Sequence, residues 1–242
     1  MRFSVVIPVL NEESHLRQCL ESFRDEGRDV ETIVVDGGSG DRTVEVAVTC
    51  GARVVTSEPG RGVQQNAGAR IATGDILLFL HADTRLPRGA FAILDESFKD
   101  EEVMIGSFRS TFDSERFVLG LYSFFSRFES PWTTFGDQCL VMRKSFFTGL
   151  GGFPAWPLFE DVRFLELARK RTKIHKFSAA VTTSARIFVS YGPVSGQLRN
   201  AWLLILYHLG CSPHRLAEIY YGLPRARRSF NAGHVPERKN RS

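Results

Sequence analysis

Acidic side chains follow four aliphatic or β-branched runs in the first third of the chain. Glu12 follows 3–9, Asp36 follows 32–35, Glu58 follows 53–56, and Asp83, in His81-Ala82-Asp83, follows 76–80. A lone acid in such a place is ordinarily a helix cap or a turn residue. Four along one edge repel one another unless a cation or hydrogen-bond donors offset them. A nucleotide diphosphate with a divalent metal meets that need, because Mg2+ and Mn2+ take oxygen from one or two carboxylates plus the phosphates of a substrate. Asp83 is the candidate metal ligand, and Asp36 is placed to accept from a base N–H or a ribose hydroxyl. Gly60 and Gly62 let the backbone come close, and Arg61 between them offers a planar fork of donors to phosphate.

The elements around these residues read as strand and helix in alternation. Strands are predicted at 3–9, 32–35, 53–56 and 76–80, with helices between them that carry Leu16, Cys19, Leu20 and Phe23, then Val44, Ala47 and Val48, then residues 63–72. Alternation of this kind implies a parallel sheet, whose ligands bind outside the carboxyl ends of the strands. Beyond Asp83 the pattern is mixed. Helices are expected at 88–98, 115–128, 159–170, 196–209 and 213–221, and strands at 104–111, 138–142 and 173–184. Nothing interrupts the middle as a linker would, so two lobes sharing one sheet are expected: a nucleotide-binding half over 1–110 and an acceptor half over 111–190. C-terminal helices at 191–223 and a basic tail at 224–242 follow.

Composition excludes several classes. At 242 residues and 43% hydrophobic, with 20 Phe, the chain buries a sizeable core and is not disordered throughout. Its four cysteines are scattered without a CxxC pair, which argues against a zinc ribbon or a disulfide framework and for reduced cytosol. The first strand leads into Pro8-Val9-Leu10-Asn11-Glu12 rather than G-x-G-x-x-G, and Gly-Gly-Ser-Gly after the second lacks the Lys of a Walker loop. NAD, FAD and ATPase chemistry are disfavoured. The N-terminus does not read as a signal peptide, and the longest apolar run, 201–209, is too short to span a bilayer. A cytoplasmic protein is expected.

Six motifs in order then resemble one family: VVIPVLNEE, VVDGGSGDRT, EPGRGVQQNAGA, LFLHADT, GDQCLVMRKSFF with GGF, and LFEDVRF, together covering about 3–190. The chain resembles the family 2 glycosyltransferases of GT-A fold, and LHADTRLP, GDQ, EDV and SAR resemble its radical-SAM/selenium-domain-associated subgroup. The resemblance implies an α/β, Rossmann-like, mostly parallel central sheet flanked by helices, with a C-terminal helical segment. It implies an inverting transfer of a sugar from a nucleotide diphosphate, most commonly UDP, to an acceptor hydroxyl. Pro8, Asn11, Glu12 and Asp36 would line the nucleobase and ribose pocket, with Arg61, Asn66 and His81 nearby and Asp83 holding Mg2+ or Mn2+. His81 stands where many members carry an Asp, which bears on the choice of metal. Asp161 matches the catalytic base, with Glu160 orienting it or binding the donor; the residues alone favour first-turn acids of a helix, and the matching GGF segment ahead of them shifts the balance. Asp137 and Gln138 would face the sugar or acceptor, and Trp156 would stack on a sugar ring.

Two features stand apart. Residues 224–242 carry six Arg and Lys against one Glu, a net +5 that leaves −1 for the body. With the apolar stripe of 196–221, this matches the two signals of reversible binding at a membrane surface. Contact with the inner face of the membrane and a lipid-linked acceptor are then expected, and nucleic acid is not. His81 also motivates an alternative from another class, a catalytically silent protein that keeps a nucleotide-sugar pocket for binding or regulation.

Overall fold

A computed structural model of the protein describes residues 1–24, 29–114, 117–185 and 193–222. The elements are β1 (Phe3–Val9), α1 (Leu16–Arg24), β2 (Glu31–Asp36), α2 (Thr43–Thr49), β3 (Arg53–Thr56), α3 (Arg61–Ile71), β4 (Ile76–Phe79), β5 (Thr84–Arg85), α4 (Ala90–Phe98), β6 (Ile105–Phe112), α5 (Phe117–Phe125), a 3-10 turn (Gly136–Gln138), β7 (Leu140–Arg143), α6 (Lys144–Gly149), α7 (Glu160–Arg169), β8 (His175–Thr183), α8 (Pro193–His208) and α9 (Pro213–Tyr221). The basic tail at 224–242, and Arg186 of the SAR motif, lie outside the described residues.

The strands form one sheet in the order β3-β2-β1-β4-β7-β6-β8-β5. The first four are mutually parallel, as their alternation with helices predicts. β7 then enters antiparallel between β4 and β6, and β8 pairs parallel to β6. Strand β5 and helix α6 were not among the sequence expectations; each is short, at two and six residues.

Because β1 is covered on both faces, it reads as an almost unbroken apolar run. Val5, Ile7 and Val9 point into a layer with Leu16, Leu20, Phe23, Phe91 and Phe98, while Val6 points into the opposite layer with Leu77, Phe79, Phe153 and Phe164. This period of two fixes the register, since a one-residue slip would exchange the layers. A third, smaller core joins Leu158 to Leu203 of α8 and to Leu216 and Ala217 of α9.

Candidate active site

The parallel register places Val9 opposite Asp36, so the loops leaving β1 and β2 start side by side. Asp36 accepts from the backbone N–H of Gly38 (3.0 Å) and Ser39 (3.1 Å) and from the Ser39 hydroxyl, which folds the Gly-rich segment into a tight turn. Asn11 takes a left-handed conformation (φ 56°), accepts from Gly40 N–H at 2.8 Å and donates its own N–H to Ser39 Oγ at 2.9 Å. Glu12 N–H donates to Thr43 Oγ1 at 2.7 Å. These bonds lace the two loops together, with the half-buried Pro8 at the base.

Gln64, which the sequence reading did not single out, holds this edge from beneath. Its side chain is 3% exposed and donates to the carbonyls of Val9 and Val35, both at 2.8 Å, while its Oε1 accepts from Gly60 N–H at 3.2 Å. One amide therefore ties the ends of β1 and β2 to the start of α3. Farther along α3, Asn66 uses both ends of its amide on the backbone of Phe153, at 2.8 and 3.0 Å. Gly62 makes a second close approach, for a Cβ there would stand 2.6 Å from the Pro154 carbonyl oxygen.

A cavity of about 440 Å³ opens next to this edge, and Arg61, His81, Asp83, Asp137 and Asp161 all line it. Asp161 is fixed by two backbone donors, Gly136 N–H to Oδ2 at 2.6 Å and Val162 N–H to Oδ1 at 2.8 Å. The buried carboxylate of Glu160 binds Arg61 Nε at 2.9 Å. Glu160 holds Arg61 firmly protonated, while burial pushes the Glu160 carboxyl itself above its ordinary range. For His81, burial and then the Arg61 charge depress the pKa and favour the neutral imidazole.

Asp137 receives the Tyr122 hydroxyl on Oδ2 at 3.2 Å, and its buried Oδ1 has no hydrogen-bond partner among the described residues. Burial, then the Asp161 charge, push it up to about 6. Lys176 on β8 donates to Gln138 Oε1, and burial draws that ammonium down to about 8 against the opposing pull of Asp137. Tyr122 and Lys176 were missed in the sequence because each sits in an apolar run or a strand with no motif around it. Trp156 does not line the cavity; its ring packs 6.3 Å from that of Tyr207. Pro8, Asn11, Glu12, Asp36, Asn66, Glu160 and Gln138 are likewise not in the lining, and the first four form the laced loops instead.

Among the described residues, those other than glycine with positive φ are Asn11, Cys139 and Phe159. Each stands at this site: Asn11 in a laced loop, Cys139 after the Gly136–Gln138 turn, and Phe159 before Glu160. Backbone strain gathers where side-chain aim matters.

The cavity beside the parallel strands gathers Asp83, which follows β4, with Asp137 of the 3-10 turn and Asp161 of α7, and residues 4–151 match the family model Glycosyl transferase family 2. The chain belongs to that family, and its fold is of the GT-A type. It is similar to 4,4'-diaponeurosporenoate glycosyltransferase of Staphylococcus haemolyticus, at 40% identity over 91 residues, 34% of this chain and 24% of the relative. It is also similar to glucosyl-3-phosphoglycerate synthase of Mycobacterium tuberculosis, at 35% identity over 99 residues, 36% of this chain and 31% of the relative. Such matches span about a quarter to a third of the relatives' own length. Among solved structures, S. aureus TarS 1-349 superposes with a TM-score of 0.64 at 18% identity, covering 91% of this chain and 70% of that one. The glucosyl-3-phosphoglycerate synthase structure with Mn2+ and UDP-glucose gives 0.54 at 22% identity, covering 76% and 69%.

Proposed function

We propose that the protein transfers a sugar, with inversion, from a nucleotide diphosphate sugar to an acceptor hydroxyl. The observation that carries this reading is the shared cavity, in which Asp83, Asp137 and Asp161, from three separate parts of the sequence, face Arg61 and His81. Asp161 takes the proton of the acceptor hydroxyl as that oxygen bonds to the anomeric carbon. The bond from that carbon to the β-phosphate oxygen breaks on the opposite face, and its electron pair leaves with the nucleoside diphosphate. The N–H groups of Gly136 and Val162 hold the carboxylate in one orientation and leave it lone pairs for the proton. Arg61, positioned by Glu160, offsets charge growing on the leaving phosphate.

UDP is the nucleotide this reading favours, since TarS was solved with UDP-GlcNAc and the synthase with UDP-glucose. Pro8, Asn11, Glu12 and Asp36 would receive the base and ribose, with Asn66 holding the adjoining segment. Asp137 and Gln138 would receive the sugar or acceptor, while Trp156, packed on Tyr207 outside the lining, has no part in this reading. A divalent cation fits the donor set, because Asp83 and His81 present a carboxylate and an imidazole to the cavity. Among the described residues, no cluster of three or more His, Cys, Asp or Glu could cage an ion alone. That suits a metal completing its shell with phosphate oxygens. When bound, it supplies charge neutralisation at the diphosphate.

The test is an Asp161→Asn variant. It should keep the UDP-dependent rise in melting temperature and lose transfer by roughly 10²–10⁴-fold. Retained transfer refutes the base assignment, and a wild type that binds UDP yet turns over no acceptor favours the silent binding protein.

A further inference from the structure

The helical cover of the cavity carries an apolar surface that no described part of the chain occupies. On and just after α8, Leu198, Trp202, Ile205 and Leu209 recur at helical spacing and are 66, 58, 40 and 75% exposed. On and just after α5, Leu121, Phe124, Phe125 and Phe128 recur in the same way and are each about half exposed. The two helices pack together, and the Trp132 ring, 55% exposed, meets that of His208 of α8 at a tilt of 55° with centroids 5.0 Å apart. Folded proteins that stay monomeric in water rarely leave so much contiguous apolar surface open.

We propose that this face docks on an anionic lipid surface and that the cavity opens into it, so that the acceptor is an amphiphile whose hydroxyl comes from the lipid side. The second half of the statement rests on the transferase reading above; the first does not. Two observations choose the occupant. Phe125 and Trp132 belong both to the exposed face and to the cavity lining, and the exposed Ala201, also in the lining, adjoins Trp202, so whatever covers the face covers the mouth. A second copy of the chain seated there would stopper the site, whereas a leaflet covers the mouth and presents substrate to it.

Charge points the same way. The exposed Arg127 lies with its guanidinium 4.6 Å over the Phe124 ring, its cationic head beside an aromatic anchor. The acid of the same loop, Glu129, is neutralised by Arg169 at 2.7 Å. Helix α9 packs on α8 and delivers the chain at Gly222 to the segment with net charge +5. By its sequence that segment complements anionic headgroups.

The experiment uses the full chain with vesicles of phosphatidylcholine alone or with 30% phosphatidylglycerol. The wild type should sediment with the anionic vesicles, and brominated lipid should quench its tryptophan emission. A Phe128→Ser, Leu198→Ser, Leu209→Ser variant, changed only at exposed positions, should bind at least tenfold more weakly with an unaltered melting temperature. Absence of sedimentation and quenching overturns the proposal. So does equal sedimentation of the variant, which would assign binding to the basic tail alone, or a wild-type dimer that the variant converts to monomer. UDP-dependent stabilisation and sugar transfer are read on the same samples. Their loss with vesicle binding intact sinks the transferase reading and spares the docking face, and the reverse result sinks the docking face alone.

Discussion

Gly136 and Asp161 are joined at 2.6 Å from backbone N–H to carboxylate oxygen, and a methyl group on Gly136 would stand 3.0 Å from that same oxygen. The contact leaves no room for a side chain without moving the carboxylate. Gly136→Ala is therefore expected to lower kcat by about 10–100-fold through misplacement of Asp161, the proposed base, because small errors in position are costly to a reaction that depends on aim. Binding of UDP, measured by calorimetry, should change by less than about threefold. A variant with normal kcat would show that this anchor is dispensable.

Asp137 gives a pH dependence with a definite sign. Its carboxyl ordinarily titrates near 3.8 and is pushed up to about 6 by burial and by Asp161, with Tyr122 opposing. A raised carboxyl contributes stability in full below the unfolded value, and that contribution fades as pH climbs through about 6. Asp137→Asn does not titrate, so it should gain on the wild type by about 3 kcal/mol between pH 3 and pH 7, at ~1.4 kcal/mol per unit. Thermal unfolding without nucleotide or metal should show that gain as a gap of roughly 6–12 °C that opens across this window. A gap constant with pH would contradict the assignment.

Gln64 is predicted to matter far more than its exposure or distance from the cavity suggests. Its replacement by Ala leaves the Val9 and Val35 carbonyls and the Gly60 N–H without this partner. At about 1 kcal/mol for each bond, the cost is about 3 kcal/mol. Gln64→Glu should be worse, since a carboxylate would face two carbonyl oxygens. Urea unfolding distinguishes these; equal midpoints for all three proteins would remove the amide from any account of stability.

The metal makes its own prediction. Addition of Mn2+ or Mg2+ should raise the melting temperature in the presence of UDP and have little effect without it, because the diphosphate completes the shell. A chelator should reverse the rise, and Asp83→Asn should abolish the metal-dependent part while leaving the protein folded. A metal effect that persists in Asp83→Asn would move the ion elsewhere.

Much of this molecule is legible in its residues, and the exceptions have physical causes. The parallel strands β1 to β4 announce themselves because strands covered on both faces are continuously apolar and are punctuated by helix-start residues. The direction of β7 is invisible locally: Leu140–Arg143 is as apolar as a parallel strand, and only its partners decide its sense. Asp83 and Asp161 were legible as acids after a strand and in a family motif, and the cavity brings them together. Asp36 was legible by the same reasoning, yet its carboxylate holds the Ser39 turn, a use that a turn-forming sequence permits equally well. Tyr122 and Lys176 carry no sequence signal, because their part in the site arises from a burial that only the tertiary fold creates.

The reversed strand has a mechanical consequence. β7 is laddered to β4 on one side and to β6 on the other, so the N-terminal parallel strands and the later strands share an unbroken set of hydrogen bonds. They cannot part like jaws around a hinge without tearing the middle of the sheet. The helices over the cavity are tied to this plate differently: α5 packs directly on β6, whereas α8 leans on α5 and α9 on α8.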